Sequence, residues 1–258
     1  MICAEDKSRF STLAVSFDKP VAVGIGTYKE KRLHKIIKEF ICGDTRQTEV
    51  KIGRYVADIL LEGEIYEIQT GSLYPLREKL KYYIDQTSYP VNIIYPVIAH
   101  KNIIRVDRES GEFLRAKKSP VRKNAGEVIK ELFWISDFFP HPRVKILVFL
   151  VTADEYRFSD ERRRRNREGR YDSEIFPREL VAIESFAATG DLLPYLPEIP
   201  ENGVTAAKFS ALTGHKGRRL YSILNFYASK GLLVKIKESS GAARWKKVCE
   251  HAPQNLLF

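Results

Sequence analysis

The sequence predicts an α/β fold, a mixed sheet flanked by helices, followed by a small basic unit built from helices and a hairpin. Three observations predict it. Helix-like and strand-like periodicities alternate up to about residue 156, then Pro194, Pro197, Pro200 and Glu201-Asn202-Gly203 make a stiff connector, and positive charge gathers beyond it. The 258 residues carry 43 Lys or Arg against 33 Asp or Glu, a balance of +10. From Gly203 to Phe258 there are ten cations and two acids, so this segment holds +8 of that excess. Such a balance favours nucleic acid or another polyanion as partner. The expected organisation is an α/β unit over residues 1–160, an Arg-rich segment with a helix and the Pro-rich linker over 161–202, and the C-terminal unit over 203–258.

The elements follow in order. Thr27 with Glu30 has the spacing of a capping box, and Leu33, Ile36, Ile37 and Phe40 recur at helical spacing, which predicts a helix over about 28–41 ended by Gly43. Strands are expected over 48–52, 55–61 and 64–70, then an amphipathic helix over about 74–85. Pro90 opens the strand VNIIYPVI, Ile103 to Asp107 and Lys145 to Thr152 read as further strands, and a helix is expected near 128–138. The longest apolar run, Ile146 to Val151, is far shorter than the roughly 20 residues that cross a bilayer, so no membrane partner is expected. Cys3, Cys42 and Cys249 are too scattered for a zinc knuckle or a disulfide framework, and no signal-peptide pattern opens the chain; both point to a reducing, cytoplasmic setting.

Residues 54–72, RYVADILLEGEIYEIQTGS, carry the chemistry. If Glu62 and Gly63 form a two-residue hairpin loop, Leu61 pairs with Glu64 and Asp58 falls opposite Glu67. Glu67 and Gln69 then share a face, because side chains alternate along a strand. Cross-strand neighbours lie about 4.5–5.5 Å apart at Cβ, and like charges there destabilise a sheet unless something neutralises them. A divalent cation would. Asp58 is the only charge among Val56, Ala57, Ile59, Leu60 and Leu61, which argues against the alternative of two unrelated acids on a wet face.

Helix, strand, Asp-bearing strand, Glu-x-Gln strand, helix, strand resembles the PD-(D/E)xK nucleases, the restriction-endonuclease-like fold, over roughly residues 25–100. The resemblance implies a Mg²⁺ or Mn²⁺ ion held by Asp58 and Glu67, with Gln69 standing where the family usually has a Lys that positions or activates the attacking water. No Pro precedes Asp58. A Gln amide can orient a water but cannot act as a cation, so activation would fall on the metal. Glu30 matches the Glu that many members carry on the first helix; capping with Thr27 is the competing role. His34 follows Glu30 by one turn, as a packing or surface residue or a phosphate contact. Thr70, Ser72, Arg77, Lys79 and Lys81 are candidate phosphate contacts, with a solvated helix face as the alternative.

The stretch ERRRRNREGR, with Arg162, Arg163, Arg164 and Arg165, reads as a phosphate-binding loop, a solvated run or a nuclear-localisation signal. Arg115, Lys117, Lys118, Arg122 and Lys123 form a similar cluster. In the C-terminal unit, Thr205 caps a short helix, Thr213-Gly214 turns, and a second helix runs over about 216–230 with Leu220, Ile223, Leu224 and Tyr227 on one face. A hairpin with its tip near 238–242 follows. This order looks like a winged helix-turn-helix domain, which would set Lys216, Arg218, Arg219, Ser222 and Asn225 near DNA and Arg244, Lys246 and Lys247 on the wing. Protein contact or dimerisation is the alternative use. The expected function is a Mg-dependent DNA nuclease; a DNA-binding regulator with an inactive nuclease-like domain and an RNA-processing nuclease are the alternatives. Cutting both strands takes two active sites, which a homodimer would supply.

Overall fold

The computed structural model describes residues 3–17, 28–107, 110–159, 173–237 and 242–248; the side chains of 28–31 fall outside that description. The chain opens with helices α1 (Ala4–Ser16) and α2 (Tyr28–Ile41). Strands β1 (Thr48–Ile52), β2 (Tyr55–Leu61) and β3 (Glu64–Ile68) form an antiparallel meander, and α3 (Arg77–Gln86) leads into β4 (Val91–Asp107). After β5 (Phe113–Lys118) and the short α4 (Ile129–Leu132) come β6 (Val144–Ser159) and β7 (Ser173–Phe186). The sheet runs β1-β2-β3-β4-β6-β7, with β5 added to β4, and the β3–β4 and β4–β6 pairs are parallel. The fold is therefore a mixed α/β sheet with helices on both faces.

Each face is closed by the alternation of the strands. Ile94 and Ile68 pack with Phe10, Ile36, Ile37 and Phe40 of α1 and α2. Ile93, Tyr95 and Ile65 point the other way, against Leu80 and Tyr83 of α3 and Ile129 and Leu132 of α4. The helical spacing of Leu33, Ile36, Ile37 and Phe40 is thus the buried stripe of α2.

Several expectations need correction. The α/β unit does not stop at residue 160: Ser173–Phe186 is a strand of the same sheet, antiparallel to β6, and among the described residues of 161–202 the helical part is the 3-10 segment Thr189–Tyr195. Two strands expected after Pro90 are one, β4, because its backbone continues to pair through the polar Lys101-Asn102. The helix expected near 128–138 is broken into short pieces, with Ile135 at φ −117°. Strand β3 ends at Ile68, before Thr70.

Beyond the connector lie β8 (Val204–Thr205), α5 (Ala206–Thr213), α6 (Gly217–Ser229), β9 (Leu233–Ile236) and β10 (Arg244–Lys247), with sheet order β8-β10-β9. Thr205 caps α5, accepting from the Lys208 N–H at 3.3 Å. Leu220, Ile223, Leu224, Phe226 and Tyr227 of α6 are all buried, because this helix packs both on its own sheet and on the α/β unit. Phe226 stacks at 6.4 Å on Phe139, and Lys230 donates to the Ser136 carbonyl at 2.6 Å.

Candidate active site

The Glu62-Gly63 turn takes φ of +51° and +78°, the two left-handed positions of a type I′ hairpin. The register is the one a two-residue loop dictates: Leu61 opposite Glu64, Leu60 opposite Ile65, Ile59 opposite Tyr66. The ladder stops one step before Asp58 and Glu67. Asp58 itself is the reason, since its Oδ2 accepts the Ile68 N–H at 2.7 Å and replaces a backbone carbonyl in the ladder. The pairing of the two strands ends at this point.

Each acid is met by a different helix. His34 of α2 places Nε2 at 3.3 Å from Asp58 Oδ2. On the opposite face, Lys79 of α3 donates to Glu67 Oε2 at 2.7 Å and the Tyr83 hydroxyl donates to Oε1 at 3.0 Å. Lys79 and Tyr83 are four residues apart on one helix, which brings both to the same carboxylate. Glu67 is fully buried, 0 % exposed.

Burial pushes the Glu67 carboxyl up to about 7; the Lys79 ammonium pulls it back, and the charge of Asp58 adds to the rise. For Asp58, burial also acts upward, but the hydrogen bonds from His34 and the Ile68 N–H, with the attraction of His34 and Lys79, outweigh it and hold the carboxyl below its ordinary value. Burial and the neighbouring Glu67 raise the Tyr83 hydroxyl, so it stays a hydrogen-bond donor. One acid is firmly ionised, and its neighbour titrates near neutrality. Such a divided pair is a mark of functional carboxylates.

Among the described residues no group of three or more His, Cys, Asp or Glu side chains forms a ready metal cage. The donor set still suits Mg²⁺, which takes one or two protein carboxylates and completes its shell with waters and substrate phosphate. A cation at Glu67 would have to displace the Lys79 ammonium, which now offsets the negative charge.

The other sequence candidates are placed as follows. Gln69 lies just past β3, half-buried, and its N–H donates to the Ile94 carbonyl at 2.9 Å. Arg77 donates to the Trp134 carbonyl at 2.9 Å and to Asp137 at 2.8 Å, so its charge joins α3 to the 133–138 segment. Ser72 Oγ accepts from the Tyr74 N–H at 3.2 Å, and Lys81 is exposed. Lys216, Arg218, Arg219 and Asn225 are exposed along α6, Lys247 is exposed, Lys246 is partly so, and Arg244 donates to the Asn202 carbonyl at 3.2 Å. The Glu30 side chain and Arg162, Arg163, Arg164 and Arg165 lie outside the described residues. Sequence spacing gave no sign of the Lys79–Glu67 contact; the only available signal was that Lys79 and Tyr83 share a helix face just after the motif.

A family model described as a domain of unknown function (DUF8091) matches residues 31–187, from within α2 to the end of β7. A protein of Treponema pallidum (strain Nichols) described as uncharacterized is 26% identical over 183 residues, covering 69% of this chain and 70% of that one. No solved structure matches. The family match takes in the whole sheet with the Asp58, Glu67 and Lys79 cluster and covers more than half of the sequence: the chain belongs to the DUF8091 family.

Proposed function

We propose that the protein is a metal-dependent DNA nuclease, a phosphodiesterase with a restriction-endonuclease-like core and a C-terminal winged helix that brings it to DNA. The observation that carries the reading is one cluster: Asp58, Glu67 and Lys79 from two adjacent strands and the helix that follows, with Lys79 Nζ 2.7 Å from Glu67. The order α2, β1, β2, β3, α3, β4, with β3 and β4 parallel, supports the core assignment. Short strand, two helices and a basic hairpin support the winged-helix assignment, and the exposed Arg218, Arg219 and Asn225 on α6 suit a groove-reading helix.

Asp58 and Glu67 would hold Mg²⁺ or Mn²⁺, which, when bound, lowers the pKa of a coordinated water and neutralises charge on the scissile phosphate. The remaining roles fall to the chain. His34 and the Ile68 N–H fix the Asp58 carboxylate in one orientation. Lys79, exchanged from Glu67 onto substrate, supplies the ammonium that Gln69 lacks, to position the attacking water or steady the phosphate. Tyr83 keeps a hydrogen bond on Glu67 while that exchange occurs.

A second reading is favoured by one observation. Both Glu67 oxygens and one Asp58 oxygen are already satisfied by protein donors, as in a DNA-binding regulator whose nuclease-like core is inactive. The test is incubation of the purified protein with plasmid, single-stranded and branched DNA, and RNA, in Mg²⁺ or Mn²⁺. Cleavage lost in Asp58→Ala, Glu67→Ala and Lys79→Ala supports the nuclease. DNA binding without cleavage, weakened when Arg218 and Arg219 are neutralised, selects the regulator, and cleavage of RNA alone moves the substrate class.

A further inference from the structure

Far from the carboxylates, the sheet is irregular on both sides of β6 at one level. The β4–β6 register shifts between Ile98 and His100, and the β6–β7 register shifts around Val151 and Ala153. Bulges re-aim side chains and recur beside functional sites. A cleft of about 510 Å³ opens at this level. Glu67 pairs with Ile93 of β4, and His100 lies seven residues further along, roughly 23 Å at about 3.3 Å per residue. The cleft is a separate place on the molecule.

Its walls are held in position. Asp154, mostly buried, accepts from Asn102 Nδ2 at 2.8 Å and from Arg178 Nε at 2.7 Å, and the Glu179 N–H donates to Thr152 Oγ1 at 3.2 Å. Lys101 is paired at 2.6 Å with the buried Glu155. The mouth is different. Lys118 and Arg122 are exposed and form no ion pair among the described residues; Arg122 donates only to the Ser119 carbonyl at 3.0 Å. His100 is exposed beside them, and Glu179 brings a single negative charge against the two cations.

We infer that this cleft binds a phosphate group, held by His100, Lys118 and Arg122. The phosphate belongs either to a nucleic-acid backbone crossing the sheet or to a free nucleotide. Arg122 offers a planar pair of donors, Lys118 a point charge and His100 a ring N–H, a set matched to phosphate oxygens. The Asp154–Arg178 pair lies in the wall behind them, its charges answered within the pair. The inference does not depend on catalysis at Asp58 and Glu67.

Binding of inorganic phosphate, thymidine 5′-monophosphate and an oligothymidylate to the full chain, measured calorimetrically across a salt series, tests it. The double variant Lys118→Ala, Arg122→Ala should weaken binding of the cognate probe about tenfold or more, and Lys118→Arg should keep most of it. If the small probes bind the parent and are lost in the double variant, the ligand is a free nucleotide. If only the polymer binds, and its log-affinity against log-salt slope falls by about one to two, the cleft holds backbone phosphate. Equal affinity of parent and double variant for every probe, or no binding of any probe to the parent, overturns the site. Thermal melts identify a misfolded variant, and binding is read without divalent metal, so absence of cleavage at Asp58 and Glu67 leaves this result untouched.

Discussion

The buried carboxylate cluster and the exposed face of α6 both carry charge, and they treat it in opposite ways. At Glu67 every charge is answered: the side chain is 0 % exposed, with an ammonium at 2.7 Å and a hydroxyl at 3.0 Å. Along α6, Arg218, Arg219 and Asn225 face solvent. A buried charge without a partner is expensive, so the fold must build partners around Glu67, whereas cations in water cost little and stay available for a polyanion. Charge in the first region is bound up with stability; in the second it weighs little on stability.

Substitutions at matched cations should break this comparison most sharply. At alkaline pH Lys79→Ala should destabilise the protein by about 3 kcal/mol, because Glu67 is left charged, buried and unpaired. Toward acidic pH the loss should shrink as Glu67 takes a proton. Chemical denaturation at the two pH values checks it; a loss that does not change with pH would mean that packing, not charge, is at stake. Arg218→Ala should move stability by less than about 0.5 kcal/mol. DNA affinity should reverse that ranking. Arg218→Ala with Arg219→Ala should weaken DNA binding about tenfold at low salt and flatten the salt dependence, read by fluorescence anisotropy.

The pH dependence of stability sharpens the contrast further. The folded Glu67 carboxyl sits at about 7, above its ordinary 4.5. Its contribution is therefore fully present below about pH 4.5 and is lost as pH rises through 7. Glu67→Gln should remove that slope between pH 4.5 and 7. Asp58, held below its ordinary value, acts in the other direction: its contribution is present above about pH 3.8 and fades as the solution becomes more acidic. A melting-temperature profile of the parent and of Glu67→Gln separates the two. A modest effect is expected at the hairpin. Gly63 sits at φ +78° with open space around it, so Gly63→Ala should cost about 1 kcal/mol of backbone strain and nothing in contacts.

Much of the architecture is legible in the sequence wherever periodicity and turn chemistry agree. Glu62-Gly63 between two apolar runs specifies the hairpin and its register, and Leu33, Ile36, Ile37 and Phe40 specify the buried face of α2. Other elements hide for physical reasons. Helix α1 buries only Phe10 and Ala14, too little to make a stripe. Strand β5 is exposed at every position, so no alternation marks it. Strand β7 is bulged and carries Pro177 with charges on both sides, which blurs its period. At the site, the acids can be read from strand spacing, but their partners cannot. Lys79 and His34 reach Glu67 and Asp58 only because α3 and α2 cover opposite faces of one sheet, a tertiary fact that local pattern does not encode.

The central claim is that Asp58, Glu67 and Lys79 form a metal-dependent phosphodiesterase site, and cleavage of plasmid and branched DNA with and without Mg²⁺ or Mn²⁺ measures it most directly. The expected result is cleavage that stops on chelation and falls at least a hundredfold in Asp58→Ala and Glu67→Ala. Cleavage undiminished in those two variants, or a parent protein that binds DNA in the presence of metal and leaves every substrate intact, would contradict it.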